Sequence, residues 1–139
     1  MITYQNQDSA FTLKGKRLNS RWLREVALEE GFTLGEIAIV FCSDAYLLGI
    51  NRQFLGHDYY TDIITFDYSE GKTLNGDLMI SVDSVRDNAA EFGTDFEQEL
   101  RRVMVHGILH LAGYDDHSDG EKRTMRQKED YYLCKRNTM

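Results

Sequence analysis

The sequence predicts an α+β fold, in which a small mixed sheet of four strands is packed with about five helices. The predicted order of elements is β-α-β-α-β-β-α-α-α, so the strands come early and the helices late. Glycines, capping residues and polar turns must end these elements, because the chain contains no proline. We assign residues 1–139 to a single domain, since this length suffices to bury one hydrophobic core.

Four segments have the residue pattern of strands. Residues 2, 4 and 6 alternate with polar neighbours and predict a short first strand, and the β-branched and aromatic run 36–42 predicts a buried second strand. Segments 61–68 and 76–82 predict two further strands, with a turn that begins at Glu70-Gly71 between them. We expect these two strands to pair as a hairpin.

Five segments have helical periodicity, and each follows a residue that can cap a helix or end a strand. Their approximate ranges are 20–30, 44–54, 82–92, 95–112 and 119–132. Asn19-Ser20 and Ser43-Asp44 are the predicted N-caps of the first two helices, and Asp119 or a neighbour caps the last. Thr94 and Glu97 have the spacing of a capping box and are predicted to open the fourth helix.

Composition excludes several classes of protein. Hydrophobic residues make up 42% of the chain and charged residues 28%, which is ordinary for a globular protein. No apolar run approaches the ~18 residues of a membrane span, and the first residues lack the basic start and apolar core of a signal peptide. Cys42 and Cys134 are isolated, which indicates reduced thiols. We therefore expect a cytoplasmic protein that does not enter a membrane.

Basic residues are clustered although the net charge is −7. Five basic residues and no acid lie within 11–24, and a second cluster occupies 122–128. Salt screening confines the field of such a cluster to about 8–10 Å, so a basic face on an acidic protein can still bind phosphates. For either cluster alone, a solvated helix face is the favoured explanation. The charges therefore permit nucleic-acid binding without predicting it.

Three of the four histidines fall within residues 106–117. His106 and His110 are four residues apart, which places both imidazoles on one face of a helix and about one turn apart. Gly113 can end that helix in a left-handed turn and bring a third ligand from segment 115–117 back toward the pair. Three protein ligands with one open position are typical of catalytic zinc. Two histidines at this spacing are more often unrelated side chains, and the glycine and the nearby Asp/His pair favour the metal site.

One residue in this motif argues against peptide hydrolysis. Zinc peptidases with paired histidines carry a glutamate directly after the first histidine, where it serves as general base. This chain has Gly107 at that position. The order of ligands and glycine still echoes the metzincin peptidases, so a zinc metallopeptidase is one alternative function.

A second segment, 51–66, has the composition of a cleft wall. It is a polar and aromatic loop that leads into the third predicted strand. His57 is a candidate catalytic residue within it, although a single histidine in a loop is more often an ordinary surface residue. An ordinary surface loop is the alternative for the whole segment.

Three motifs together carry a family resemblance. They are His106-Gly-Ile-Leu-His110-Leu-Ala-Gly113-Tyr-Asp-Asp116, Asn51 with Thr61-Asp62-x-x-x-Phe66, and Gly76-Asp77-Leu-x-Ile80-Ser81. In order and spacing they resemble the YbeY family of zinc-dependent bacterial endoribonucleases, and they cover most of the chain from about 45 to 117. The resemblance implies one Zn²⁺ per chain and cleavage of single-stranded RNA in ribosome biogenesis. The implied partners are the ribosome and small-subunit RNA, with late maturation of the 3′ end of 16S ribosomal RNA as the implied step.

The chain departs from the family pattern at two positions. The third ligand of the family is typically a histidine at the place that Asp116 occupies here, and His117 comes one residue later. We favour Asp116, because a carboxylate is an acceptable zinc ligand and a slip of one residue would re-aim the side chain, with His117 as the alternative. The family also carries an arginine, thought to assist at the phosphate, where this chain has Leu55. Arg52 and His57 are candidate substitutes.

The missing arginine supports a second alternative function. A ribosome-assembly factor that does not cleave RNA would use its zinc only for structure. Four protein ligands on the metal would favour this alternative, and an open coordination position would favour the enzyme.

Overall fold

The computed structural model describes residues 1–57 and 60–139, and its elements follow the order that the sequence predicts. The strands are β1 (Ile2–Asn6), β2 (Thr33–Cys42), β3 (Ile63–Asp67) and β4 (Thr73–Ser81). The α-helices are α1 (Lys16–Glu29), α2 (Asp44–Ile50), α3 (Val82–Phe92), α4 (Phe96–Leu111) and α5 (Asp119–Asn137). A five-residue π-helical turn, Asn51–Leu55, continues directly from α2.

In the part of the chain that the structure describes, the strands form one mixed sheet in the order β1-β2-β4-β3. β2 pairs in parallel with both β1 and β4, whereas β3 and β4 form an antiparallel hairpin. The α+β class and the predicted hairpin are therefore confirmed. Because β3 is an edge strand, one of its sides is open and can form the wall of a cleft.

Gly76 of β4 permits a close approach at this edge. A Cβ atom on Gly76 would lie 2.5 Å from the backbone oxygen of Phe66 in β3 and 3.1 Å from a methyl carbon of Leu111 in α4. The contact with the backbone oxygen is too close for any side chain, and the contact with Leu111 is tighter than ordinary van der Waals contact. The glycine of the Gly-Asp motif therefore lets β3 and the end of α4 meet against the same point of the sheet.

The hydrophobic core covers both faces of the sheet. Ile39 and Leu78 face the larger part of the core, together with Trp22 of α1 and Ile108 of α4. Side chains that alternate with these along the strands form a smaller cluster on the opposite face with Leu47 of α2. No helix in the described residues is both long and apolar enough to span a lipid bilayer.

The predicted start of the first helix was wrong. α1 begins at Lys16, after Gly15 in a left-handed conformation. Asn19 and Ser20 are buried inside the helix, where Asn19 donates a hydrogen bond to the backbone oxygen of Lys14 and the Ser20 hydroxyl is 2.9 Å from that of Tyr4. Their polar groups satisfy contacts with preceding segments and do not cap the helix.

The caps around the fourth and fifth helices lie near the predicted residues. Asp95 caps α4 and accepts a hydrogen bond from the Gln98 amide, so the predicted box of Thr94 and Glu97 was one residue too early. Ser118 caps α5 and forms a complete capping box with Glu121. The cap of α5 is thus an immediate neighbour of Asp119, as predicted. The isolated cysteines, Cys42 and Cys134, are both free thiols.

Candidate metal centre

The end of α4 forms the turn that the motif predicted. Gly113 has φ 109°, a left-handed conformation that favours glycine. The amide of Gly113 donates to the oxygen of His110, and the amide of Tyr114 donates to that of Leu109, both at 3.1 Å. This pair of bonds is a Schellman motif, and it turns the chain back so that the segment after Gly113 faces the histidine side of α4.

The His106 ring is held from one side and faces an acid on the other. Its Nδ1 lies 2.7 Å from Oε2 of Glu129 on α5, and its Nε2 lies 3.5 Å from Oδ2 of Asp116. A carboxylate can only accept, so the hydrogen bond to Glu129 places the imidazole proton on Nδ1. In the neutral ring, the lone pair of Nε2 is then directed toward Asp116.

The His110 ring is also held by a hydrogen bond at Nδ1. Its Nδ1 lies 3.1 Å from the backbone oxygen of Tyr114, which can only accept. The proton is therefore on Nδ1, and Nε2 is left as the nitrogen that can coordinate an ion. Histidines that bind metals commonly donate their other ring N–H to a carboxylate or a carbonyl in this way.

The donor set and the spacing of its first pair fit a zinc ion. Two ligand atoms bound tetrahedrally at about 2.0–2.1 Å are separated by roughly 3.4 Å, close to the 3.5 Å between His106 and Asp116. His106, His110 and Asp116 also line one cavity of about 380 Å³. Within residues 1–57 and 60–139, however, no three acidic, histidine or cysteine side chains converge closely enough to hold an ion. Binding of an ion would require these side chains to move closer together.

The alternative third ligand is placed elsewhere. His117 is exposed and is not one of the described residues that line this cavity. It lies close enough to Glu121, in the first turn of α5, to help lower the pKa of that carboxyl, although the hydrogen bonds from Ser118 contribute most. The structure thus places Asp116 beside His106 in the cavity lining, and ligation by either Asp116 or His117 stays a prediction.

The rest of the described lining of this cavity comes from the second predicted segment. Its described lining includes Asn51, Leu55 and His57, the Thr61-Asp62 pair, and residues 63–65 of β3. Asp58 and Tyr59 lie outside the described residues. Of the two candidate substitutes for the family arginine, His57 lines the cavity and Arg52 does not. Leu55, which is 45% exposed, occupies the wall where the resemblance expects the arginine.

Two ionisable groups beside the histidines have shifted pKa values. Burial raises the pKa of Asp62, and the nearby His106 only partly opposes this shift. Burial alone would lower the pKa of His106. The hydrogen bond and charge of Glu129, together with the charges of Asp116 and Asp62, outweigh burial and raise it.

A second cavity of about 290 Å³ adjoins the first between α3, α4 and α5. The two cavities share four lining residues, Asp62, Ile63, His106 and Asp116. The adjoining cavity adds two guanidinium groups, from Arg102 and Arg126. No lysine or arginine is among the described residues that line the first cavity. The positive charge near the histidines therefore comes from α4 and α5.

Sequence reasoning missed Glu129, and it noted Arg102 only as a basic residue before the metal motif. Arg102 precedes His106 by four residues and so shares its helix face, a signal that was available in the sequence. Glu129 follows His106 by 23 residues on a different helix, and no local pattern connects the two. Its role depends on how α5 packs against α4.

Comparison with known proteins agrees with the motifs. The family model described as Endoribonuclease YbeY matches residues 1–137. A Bacteroides thetaiotaomicron protein named Endoribonuclease YbeY is 49% identical over 135 residues, which span 97% of this chain and 98% of the relative. A Phocaeicola vulgatus protein of the same name is 49% identical over 134 residues, spanning 96% and 97%.

A solved structure matches as well. The solution structure of a Thermotoga maritima protein is 32% identical to this chain, with a TM-score of 0.66, and the match covers 96% of this chain and 87% of that protein. The match supports the same α+β fold. The predicted resemblance is confirmed, and the chain belongs to the Endoribonuclease YbeY family.

Proposed function

We propose that this protein is a metal-dependent endoribonuclease that cleaves single-stranded RNA, with one Zn²⁺ held by His106, His110 and Asp116. Family membership supports RNA cleavage. The observation that supports the metal is the arrangement of the two rings, whose Nδ1 atoms are bound to Glu129 and to the Tyr114 oxygen. This arrangement leaves both Nε2 atoms available for coordination.

In the proposed reaction, the zinc ion and the residues of the chain have different roles. A zinc ion with an open position can polarise a phosphoryl oxygen or lower the pKa of a bound water toward about 7. The chain orients the two imidazoles from α4 and supplies the Asp116 carboxylate from the turn after Gly113. His57, which lines the same cavity, is the candidate to exchange a proton with the attacking or leaving oxygen.

The RNA backbone needs positive charge that the first cavity does not contain among its described lining residues. Arg102 is engaged with Glu129 and Asp130. Arg126 is exposed in the adjoining cavity, where its charge and that of Arg102 partly offset the rise that burial causes in the pKa of Glu99. We therefore assign Arg126 to a phosphate next to the one that is cleaved.

The finer assignments rest on the family resemblance alone. They are a cytoplasmic location, action with the ribosome on small-subunit ribosomal RNA, and a role in late maturation of the 3′ end of 16S ribosomal RNA. Purified precursor small subunits would serve as the substrate that tests them, because shortening of the 3′ end is measured directly. An unchanged 3′ end would contradict this assignment and leave the endoribonuclease proposal standing.

The central experiment uses the zinc-loaded protein on a labelled single-stranded RNA and on the matching duplex. We expect cleavage of the single strand, loss of cleavage in His110→Ala, and retained cleavage in His117→Ala, whose histidine lies outside the cavity lining. Zinc content of the three proteins is measured alongside. Equal cleavage by His110→Ala and the parent would overturn the proposal.

The same assay tests the ribosome-assembly alternative, which the exposed Leu55 on the cavity wall favours. Binding of single-stranded RNA without cleavage at any zinc loading would favour that function. Turnover of a peptide library by the zinc-loaded protein would instead favour the metallopeptidase.

A further inference from the structure

We propose that Glu129, fixed by Arg102, is a positioning residue that sets the tautomer and the orientation of the His106 ring. This inference rests on the proposed metal site and deepens it. It assigns a role at that site to α5, a helix whose residues carried little of the family resemblance.

A continuous chain of charged hydrogen bonds carries the inference. Arg102 Nη2 donates to Asp130 at 2.7 Å, and Arg102 Nη1 donates to Oε1 of Glu129 at 3.0 Å. The other oxygen of Glu129 accepts from Nδ1 of His106 at 2.7 Å. The chain alternates between the two helices, with Arg102 and His106 on α4 and the two acids on α5.

The burial of these groups makes the arrangement specific. The Glu129 side chain is 7% exposed and that of Arg102 is 16% exposed, whereas that of Asp130 is 57% exposed. A buried carboxylate is strongly destabilising without partners, so Glu129 must keep both of its donors. One oxygen binds each donor, and the carboxylate cannot rotate away from His106 without losing Arg102.

The consequence concerns Nε2 of His106. With the proton held on Nδ1, Nε2 has a lone pair that faces Asp116, 3.5 Å away. Without Glu129, the ring could carry its proton on Nε2 or turn that nitrogen away from the cavity. Either change would remove one ligand from the proposed ion.

Glu129→Gln tests this role, because an amide has only one oxygen for two donors. Its NH₂ group would face either Arg102 or His106, and both of these groups donate. Asp130→Asn is the matched control, since it changes the neighbouring acid, which also binds Arg102 but does not touch His106. Thermal melting of both variants shows whether the fold is retained.

The first readout needs no metal and no activity. Nitrogen NMR of the His106 ring, recorded on metal-free protein while the pH is raised until the spectrum is that of the neutral imidazole, reports which nitrogen carries the proton. We expect Nδ1–H in the parent and in Asp130→Asn, and a shift toward Nε2–H in Glu129→Gln. If Glu129→Gln does not fold, the parent spectrum alone still tests the proposal, because Nε2–H in the parent would overturn it.

The second readout is zinc affinity, measured by competition with a chelator. We expect Glu129→Gln to bind zinc about 10–100-fold more weakly than the parent, and Asp130→Asn to bind within a few-fold of it. An unchanged affinity in Glu129→Gln would overturn the positioning role. If the parent itself binds no zinc, the proposed function fails, and the ring spectra still decide whether Glu129 sets the tautomer.

Discussion

At the scale of single residues, Gly107 explains why α4 can pack so closely against the sheet. A Cβ atom on Gly107 would lie 2.9 Å from a methyl carbon of Leu78 and 3.0 Å from one of Ile63. Leu78 is fully buried in the sheet, so its methyl groups have little space into which they can move, whereas Ile63 is only partly buried. This position therefore faces the apolar side of the sheet and has no room for the glutamate that zinc peptidases carry there.

We expect Gly107→Glu to destabilise the protein and not to make it a peptidase. The new carboxylate would be buried between Leu78 and Ile63 with no partner, which costs about 3–5 kcal/mol in the free energy of unfolding. Urea denaturation measures that loss. A Gly120→Glu variant, at an exposed glycine in the first turn of α5 with open space around it, is the control. A stable Gly107→Glu protein with peptidase activity would contradict this prediction.

Of the proposed metal ligands, the two histidines could be predicted from the sequence, but the choice of the third ligand could not be settled. The spacing of His106, His110 and Gly113 is local, and helix geometry converts it directly into a shared face and a turn. The choice between Asp116 and His117 is not local, because it depends on how the turn meets the cavity. Only the structure shows that Asp116 faces His106 and that His117 lies outside.

At the scale of elements, the order of strands and helices could be predicted and several of their ends could not. Hydrophobic periodicity is repeated over a whole element, whereas a cap depends on one or two side chains. Asn19 and Ser20 have the residue types of a cap, but contacts with Lys14 and Tyr4 use their polar groups. The π-helical turn after α2 has no periodic signal of its own and was predicted as ordinary helix.

α5 carries the arginine of the proposed RNA contact. Two of its arginines have the same charge but different positions, so comparing them shows whether the position or the charge matters. Arg126 lines the adjoining cavity, whereas Arg123 is exposed on the same helix and is not one of the described lining residues. We expect Arg126→Ala to weaken binding of single-stranded RNA and to reduce the slope of log K against log salt by about 0.7, the value for one lost phosphate contact.

Arg123→Ala removes the same charge and should leave that slope nearly unchanged. Fluorescence anisotropy over a range of salt concentrations, with metal-free protein, measures both variants without cleavage. Equal losses in the two would mean that net charge matters and that the adjoining cavity does not bind the backbone.

At the scale of the whole molecule, Glu30 joins three distant parts of the chain. It follows α1 and accepts hydrogen bonds from the Tyr114 hydroxyl at 2.7 Å and from Lys128 at 3.1 Å, and from the Tyr132 hydroxyl. Tyr114 in turn holds the His110 ring through its backbone oxygen. The position of the candidate site therefore depends on a residue 84 positions before Tyr114, which no motif could have indicated.

This network gives the stability of the protein a defined dependence on pH. Burial alone would raise the pKa of Glu30, but hydrogen bonds from Tyr114, Tyr132 and Lys128 outweigh burial and lower it. A carboxyl whose pKa is lower in the folded state stabilises the fold above its unfolded pKa of about 4.3. That contribution is lost as the pH falls through the pKa of the folded state.

We expect Glu30→Gln to be about 2 kcal/mol less stable than the parent at pH 7, because a neutral amide replaces a carboxylate with three donors. The difference should shrink as the pH falls from the unfolded pKa of about 4.3 through the lower pKa of Glu30 in the folded parent. Urea denaturation across this range measures it. Glu29→Gln, at a neighbour whose side chain is 37% exposed and bound to Lys135, should lose less stability. A Glu30→Gln difference that stays constant or grows toward acid pH would show that its charge does not hold the three segments together.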